Sequence, residues 1–292
     1  GLKEEKFDSL NGKNGNNLSI LLKQSGLSYE EFSRLVDARF IDPERKIQIV
    51  FCEGADCSLD KATVKRGEDL LPDDFFVRFL RFLRLNRKLG WKVGELDRAL
   101  AVFSATTPDK LNDTVIIKLS ILKQRSTELN LPVDECLSWW SNKIDTLGDA
   151  ENPSLYESVF LDKAQNTETF KLDDHLSDLK INLEDKIQKI IDHETELLGP
   201  LRIASEDLRL LFGPQDDFNL SSISMLYRNV SLSRALDLGM NEFLSLKSLC
   251  KIDPFKGPEE TIKFRETLSR IQSSNLGIAD LDYLIRDISQ AS

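Results

Sequence analysis

Between Leu83 and Ala101 the chain reads LRLNRKLGWKVGELDRALA, and a segment built this way leaves few folds open. An amphipathic helix runs into Gly90, one large apolar residue follows (Trp91), and a second helix opens with Glu95 in its first turn. A glycine at a helix end takes the left-handed conformation without a Cβ penalty. The apolar residue after it can staple onto the next helix. The same punctuation appears at SGLSYEEFSRLV (25–36), LNLPVDECLSWW (129–140), LGMNEFLSLKSL (238–249) and NLGIADLDYLIRDI (275–288). These corners predict a mainly α fold of stacked helical hairpins, with Gly90 and Gly239 both at positive φ. Trp91, Phe79, Phe82, Leu96 and Leu100 should share one core across the 75–104 hairpin, because they lie on facing stripes joined by a short turn.

One segment departs from helical periodicity. KIQIVF (46–51) and KATVKR (61–66) alternate and are β-branched, which predicts one small β-hairpin near residues 46–66. They bracket Cys52 and Cys57, whose loop EGAD could close a small disulfide in an oxidising compartment. Cys136 and Cys250 sit on apolar helical phases, where a thiol acts as a small hydrophobe.

Further along, helices are expected at about 18–24, 28–39, 73–89, 93–104, 109–129 and 132–142. SLYESVFL forms another, and more follow at 181–192, 205–212, 221–236, 241–250, 258–273 and 278–289. GP (199–200) reads as a turn, NGKNGNN as a frayed end, and 163–180 as a polar loop or insertion. That break suggests three segments. Residues 1–162 form a helical part with the hairpin, 163–220 a variable segment, and 221–292 a C-terminal helical part. The opening GLKEEKF reads as the edge of an excised fragment or an expression scar.

Charge narrows the partners. The net charge is −10, from 23 basic against 24 acidic residues over 1–150 and 16 against 25 over 151–292. An acidic surface repels phosphates, which argues against nucleic acid and anionic lipid. No apolar run approaches the ~20 residues that cross a bilayer, so no direct membrane insertion is expected. Arg78, Arg81 and Lys88 flank the aromatic face of helix 73–89. The stripe reads as a solvated or ion-paired face, or else as a dock for an acidic partner.

Chemistry is sparse in this sequence. His175 and His193 are the only histidines, and both read as surface residues with no Ser or Cys in a nucleophile arrangement. Phosphate-loop, dinucleotide, zinc-helix and calcium-loop patterns do not occur. Trp91 and the pair Trp139–Trp140 fall on apolar helical phases and read as packing rather than a ligand cage. The expectation is a non-enzyme with no catalytic, cofactor-binding or metal residues.

Several segments carry a resemblance, in chain order: GLSYEEFSRLVDARFIDP (26–43), CSLDKATV (57–64), FFVRFLRFLRLNRKLGWKVGELDRAL (75–100), IDTLGDAENPSLYESVFL (144–161), SISMLYRNVSLSRALDLGMNEFLSLKSLCKIDPF (222–255) and LGIADLDYLI (276–285). They resemble the A component of the toxin complex (Tc) insecticidal toxins and the related virulence-plasmid A protein domain. Asn86 departs from the pattern, standing where a tryptophan is expected, and the likeness is weakest over 163–221. The resemblance implies a segment of the α-helical shell around a central channel. It further implies a secreted parent that assembles with copies of itself as a pentamer, meets other Tc subunits and touches a host-cell receptor. No S-x-D-x-G-x-x-W box occurs, so no sialidase activity is assigned. The alternative is a stand-alone helical module that recognises a host receptor or a partner toxin subunit.

Overall fold

Phenylalanines at 75, 76, 79 and 82 recur at helical spacing behind Asp73 and Asp74, and that run forms the helix that organises the first half of the protein. The computed structural model describes residues 16–51, 58–148, 152–161, 168–180 and 188–286. The chain divides into two compact units, residues 1–119 and 120–292. The dividing line falls inside a helix, so the expected break near 163–180 lies within the second unit. The fold is mainly α with a single two-stranded antiparallel hairpin, as periodicity and alternation predict.

In the first unit, α1 (Leu18–Ser25) and α2 (Tyr29–Val36) precede β1 (Ile47–Val50) and β2 (Thr63–Arg66). Ile49 pairs with Val64, and Ile47 with Arg66. The far edge of β2 is occupied by the approach to α1, since the Val64 N–H donates to the Asn16 carbonyl at 2.7 Å. α3 (Asp73–Leu89) and α4 (Val93–Val102) follow. Phe79 stacks on Phe75 at 5.6 Å and tilts against Phe32 at 5.5 Å, while Phe82 meets Phe40 at 5.9 Å. Leu96 and Leu100 are buried with them. Trp91 is a correction. It is half-buried, at the rim of this core rather than inside it. Asn86 Nδ2 donates to the Trp91 carbonyl at 2.9 Å, so the corner is held through the backbone.

On the basic flank of α3, Arg78 is ion-paired as expected, Lys88 is exposed, and Arg78 and Arg81 also reach the backbone of neighbouring loops. Arg78 donates to the carbonyls of Phe40 (3.0 Å) and Thr106 (3.2 Å) and pairs with Asp74. Arg81 donates to the Pro108 carbonyl, and Arg87 to that of Ser25 at 2.7 Å. Asp97 on α4 answers from the other side, accepting from the N–H groups of Arg39 and Phe40 at 3.1 and 2.9 Å. These side chains close open backbone groups of the loops around the helix pair.

α5 (Asp113–Leu129) carries the dividing line between the units. The second unit then holds α6 (Val133–Ser138), α7 (Glu194–Leu201), α8 (Ser205–Leu211), α9 (Leu220–Ala235), α10 (Met240–Cys250), α11 (Pro258–Ser273) and α12 (Ile278–Arg286). α9 is buried on most of its surface, including Ser224, Asn229, Ser231 and Ser233. A helix apolar only along one stripe would leave such serines in water. Here each serine is hydrogen-bonded internally, while Asn229 Oδ1 has no partner among the described residues. Ser231 accepts from Trp139 Nε1 at 2.9 Å and donates to Glu135 at 3.0 Å, and Ser224 accepts from the Ile144 N–H at 3.0 Å. Trp139 and its neighbour Trp140 meet edge to face, and Trp140 donates to Thr261 at 2.8 Å. A second aromatic series runs through Tyr156, Phe160, Phe170 and Phe218.

Two expectations fail here. Gly199 and Pro200 do not form a turn but complete the last turn of α7, and the chain turns at Arg202, with φ 51°. Residues 188–193 are not α-helical. Ile190–His193 form a 3-10 turn that leads into α7, and the strand-like approach to it is tied to a distant segment, with the Gln188 carbonyl accepting from Phe218 and the Ile190 N–H donating to Asp216. SLYESVFL is helical as expected, over residues 155–161, with a π turn over Glu157–Leu161. Residues 1–15, the loop between Cys52 and Cys57, and 181–187 fall outside the described residues, as do the expected frayed end and disulfide.

The corners share one plan. A residue in the left-handed region ends a helix, an apolar residue follows, and the next residue caps a new helix. Gly26, Gly90, Asn130, Arg202, Asp237 and Asn275 occupy the left-handed position. At Leu27, Leu131, Ile203 and Leu238 the N–H returns to a carbonyl five residues back, which closes the preceding helix. The cap's own N–H is then taken by a carboxylate one turn on: Glu31, Glu95, Asp207, Glu242 and Asp280, at 2.7–3.2 Å. This is half of a capping box at least. At the corner with Pro132, no cap N–H exists, and Glu135 turns instead to Ser231.

Gly239 corrects the expectation of positive φ. It sits at −65°, as the cap of α10, and Asp237 at 55° takes the left-handed position. Gly90 is left-handed as expected, at 69°. Gly90→Ala is therefore expected to cost about 1 kcal/mol, with no steric part, since nothing lies within 4 Å of the added Cβ. Gly239→Ala should cost clearly less than that. Parallel urea melts of the two variants check the pair, and equal losses would contradict it.

Candidate functional site

Among the described residues, Cys136, Tyr156, Tyr227 and Ser231 are held in packing roles. Cys136 on α6 is fully buried, and burial pushes its thiol up to about 12, with the Glu135 charge adding to the effect. A thiol in that state is a poor nucleophile at neutral pH. Burial also raises the Tyr227 and Tyr156 hydroxyls, with help from Glu135 and Asp178 respectively. The Tyr156 hydroxyl donates to the Phe170 carbonyl and so locks the aromatic series in place. Ser231 hydrogen-bonds a carboxylate, Glu135, but its other partner is an indole and no imidazole stands behind it. That triplet fixes α6 to α9.

His175 is exposed, as expected. His193 is not a plain surface residue. Its ring stacks on Phe218 at 4.1 Å, Nε2 lies 3.0 Å from Gln188 Oε1, and Nδ1 faces Glu196 at 3.8 Å. The sequence hid this, because Phe218 lies beyond α8 and no periodicity links the two. Cys250 is half-buried, with its sulfur over the Lys247 carbonyl. Among the described residues no group of three His, Cys, Asp or Glu side chains could hold a metal ion.

A cleft of about 270 Å³ opens in the first unit beside Arg66 and Arg78. Its charges are matched from within. Arg66 pairs with Glu44 at 2.6 Å, Arg78 with Asp74, and Asp42 accepts from the Ile47 N–H at 2.6 Å. Glu44 is held below the usual carboxylate range by Lys46 first and Arg66 second. The cleft therefore presents a closed set of ion pairs rather than a catalytic residue aimed at open space.

On α12, Tyr283, Leu284 and Ile285 are 55%, 67% and 68% exposed, and Leu276 at the preceding corner is 42% exposed. Asp282 and Ile278 face inward on the same helix. In the first unit, Tyr29 and Phe51 are exposed and their rings lie 6.3 Å apart. Contiguous apolar side chains in water mark contact surfaces far more often than isolated ones do. No helix among the described residues is long and apolar enough to cross a membrane. No protein-family model matches the chain, and a search of curated proteins finds no match.

Proposed function

We propose that this chain is a non-catalytic α-helical shell segment of a Tc-type toxin A subunit, a secreted protein that assembles with copies of itself and meets other toxin subunits. The motif resemblance is the source of this reading. The observation that carries it on the structural side is the repeated corner, used six times to join helices end to end. Such a chain makes wall, not a pocket. The exposed face of α12 supplies an apolar patch for lateral contact. A second reading, a stand-alone module that binds a host receptor or a partner subunit, is favoured by the paired exposed rings of Tyr29 and Phe51.

The two readings separate by experiment. In the shell reading the isolated chain is a monomer in light scattering, while the native protein carrying it forms a pentameric particle in electron micrographs. Leu284→Asp with Ile285→Asp should leave the isolated chain's stability within about 0.5 kcal/mol, as exposed positions do, and should impair assembly of the native protein. A native protein that stays monomeric at every concentration would overturn the shell reading.

A further inference from the structure

We propose that the loop between α10 and α11 forms a docking surface for an acidic segment of a partner protein, a role separate from the shell reading and independent of it. The loop is built to stay in place. Phe255 packs on Phe243 at 6.1 Å, and Phe243 in turn packs on Phe264 at 5.4 Å. The Thr261 hydroxyl donates to the Pro254 carbonyl at 2.6 Å and accepts from Trp140 Nε1 at 2.8 Å. The Lys256 N–H closes a turn onto the Asp253 carbonyl at 3.3 Å.

On this fixed base the charge is lopsided. The Arg228 guanidinium lies over the Phe255 ring at 5.1 Å, and Lys247 Nζ lies over the same ring at 4.9 Å. Lys251 and Lys256 are exposed at the two ends of the loop. Against these four cations stand two carboxylates, Asp253, taken by Lys247 at 3.2 Å, and Glu259, whose Oε2 lies beside Gly257 at the end of the loop. Glu259 and Glu260, in the first turn of α11, act on Lys263, which Glu260 contacts at 2.6 Å. Arg228 has no ion pair, and its Nε is buried without a hydrogen-bond partner among the described residues. Burial works against its charge, with Asp253 only partly offsetting that. A guanidinium stacked on a ring and lacking an ion pair suits a carboxylate, which it can engage through N–H donors.

The surroundings choose among anions. Residues 151–292 carry 16 basic against 25 acidic side chains, so an extended polyanion such as nucleic acid or a charged bilayer meets net repulsion beyond the loop. A short acidic peptide touches the basic loop alone.

The test is fluorescence anisotropy with a fluorescein-labelled octaglutamate peptide. Binding should be measurable at low salt and weaken as salt rises. The double reversal Lys251→Glu with Lys256→Glu should weaken it at least tenfold, and Arg228→Gln by a similar factor. Lys88→Glu on α3 should change it less than twofold. Circular dichroism of each variant reports folding, and the two exposed lysines decide the matter if Arg228→Gln unfolds. Affinity within twofold of wild type after the double reversal would overturn the proposal. So would equal or tighter binding of polyphosphate, or of phosphatidylserine vesicles, than of octaglutamate.

Discussion

Trp139→Ala is expected to cost about 3–5 kcal/mol of stability, the range for deleting a large buried aromatic. Trp139 has no exposed surface, and its indole N–H is one of the two partners of Ser231. The substitution opens a cavity between α6 and α9 and removes the hydrogen bond that orients Ser231 toward Glu135. Trp139→Phe isolates the second part: it keeps most of the volume, so its loss reports the Ser231 oxygen left without its donor, about 1–3 kcal/mol. Trp91→Ala, at the half-buried rim of the first unit, should cost less than Trp139→Ala. Urea melts monitored by circular dichroism measure all three. A loss under ~1 kcal/mol for Trp139→Ala would mean the α6–α9 contact is not a core.

Arg78→Met should cost about 1.5–3 kcal/mol, the range for hydrogen bonds made by a charged group. Methionine keeps the aliphatic stem on α3 and removes only the guanidinium. The carbonyls of Phe40 and Thr106 then lose their donor, and Asp74 loses its partner. Asp74→Ala removes the exposed ion pair alone and should cost well under 1 kcal/mol, since such pairs contribute little in water. If the two variants lose the same stability, the backbone contacts of Arg78 carry nothing.

The contrast between these residues shows what the sequence could reveal. Local signals were readable: the aromatic run of α3, the alternation of β1 and β2, Gly26 and Gly90 at corners, and Ser28 with Glu31 as a capping box. Each depends on neighbours within a turn or two. Gly239 misled because a glycine near a corner can serve either as the left-handed residue or as the next cap, and the sequence does not say which. Asp237 and Arg202 adopt φ values that favour glycine because the hydrogen bonds on both sides of the corner hold them there. Pro200 misled for a related reason, since a proline in the last turn of a helix disturbs only a bond near its fraying end.

The interior serines of α9 were not legible at all. Serine in a helix reads as surface or as a cap, and the partner that makes Ser231 a buried residue is a tryptophan 92 positions away. Arg78 and Arg81 raised the same difficulty in reverse: a basic flank looks solvated until the loops that fold over it are known. His193 and the Arg228 loop likewise depend on contacts between elements that no periodic pattern connects.

The corner plan also bears on how such a chain comes to be folded during its synthesis. Every bond that closes a corner joins residues within about one and a half turns of helix. Local contacts of that kind form early, before distant partners are needed. A nascent chain emerging slowly can therefore set its bends in order, one after another, while later helices are still being made. The long-range ties, such as Trp139 to Ser231, then fasten elements whose directions are already decided.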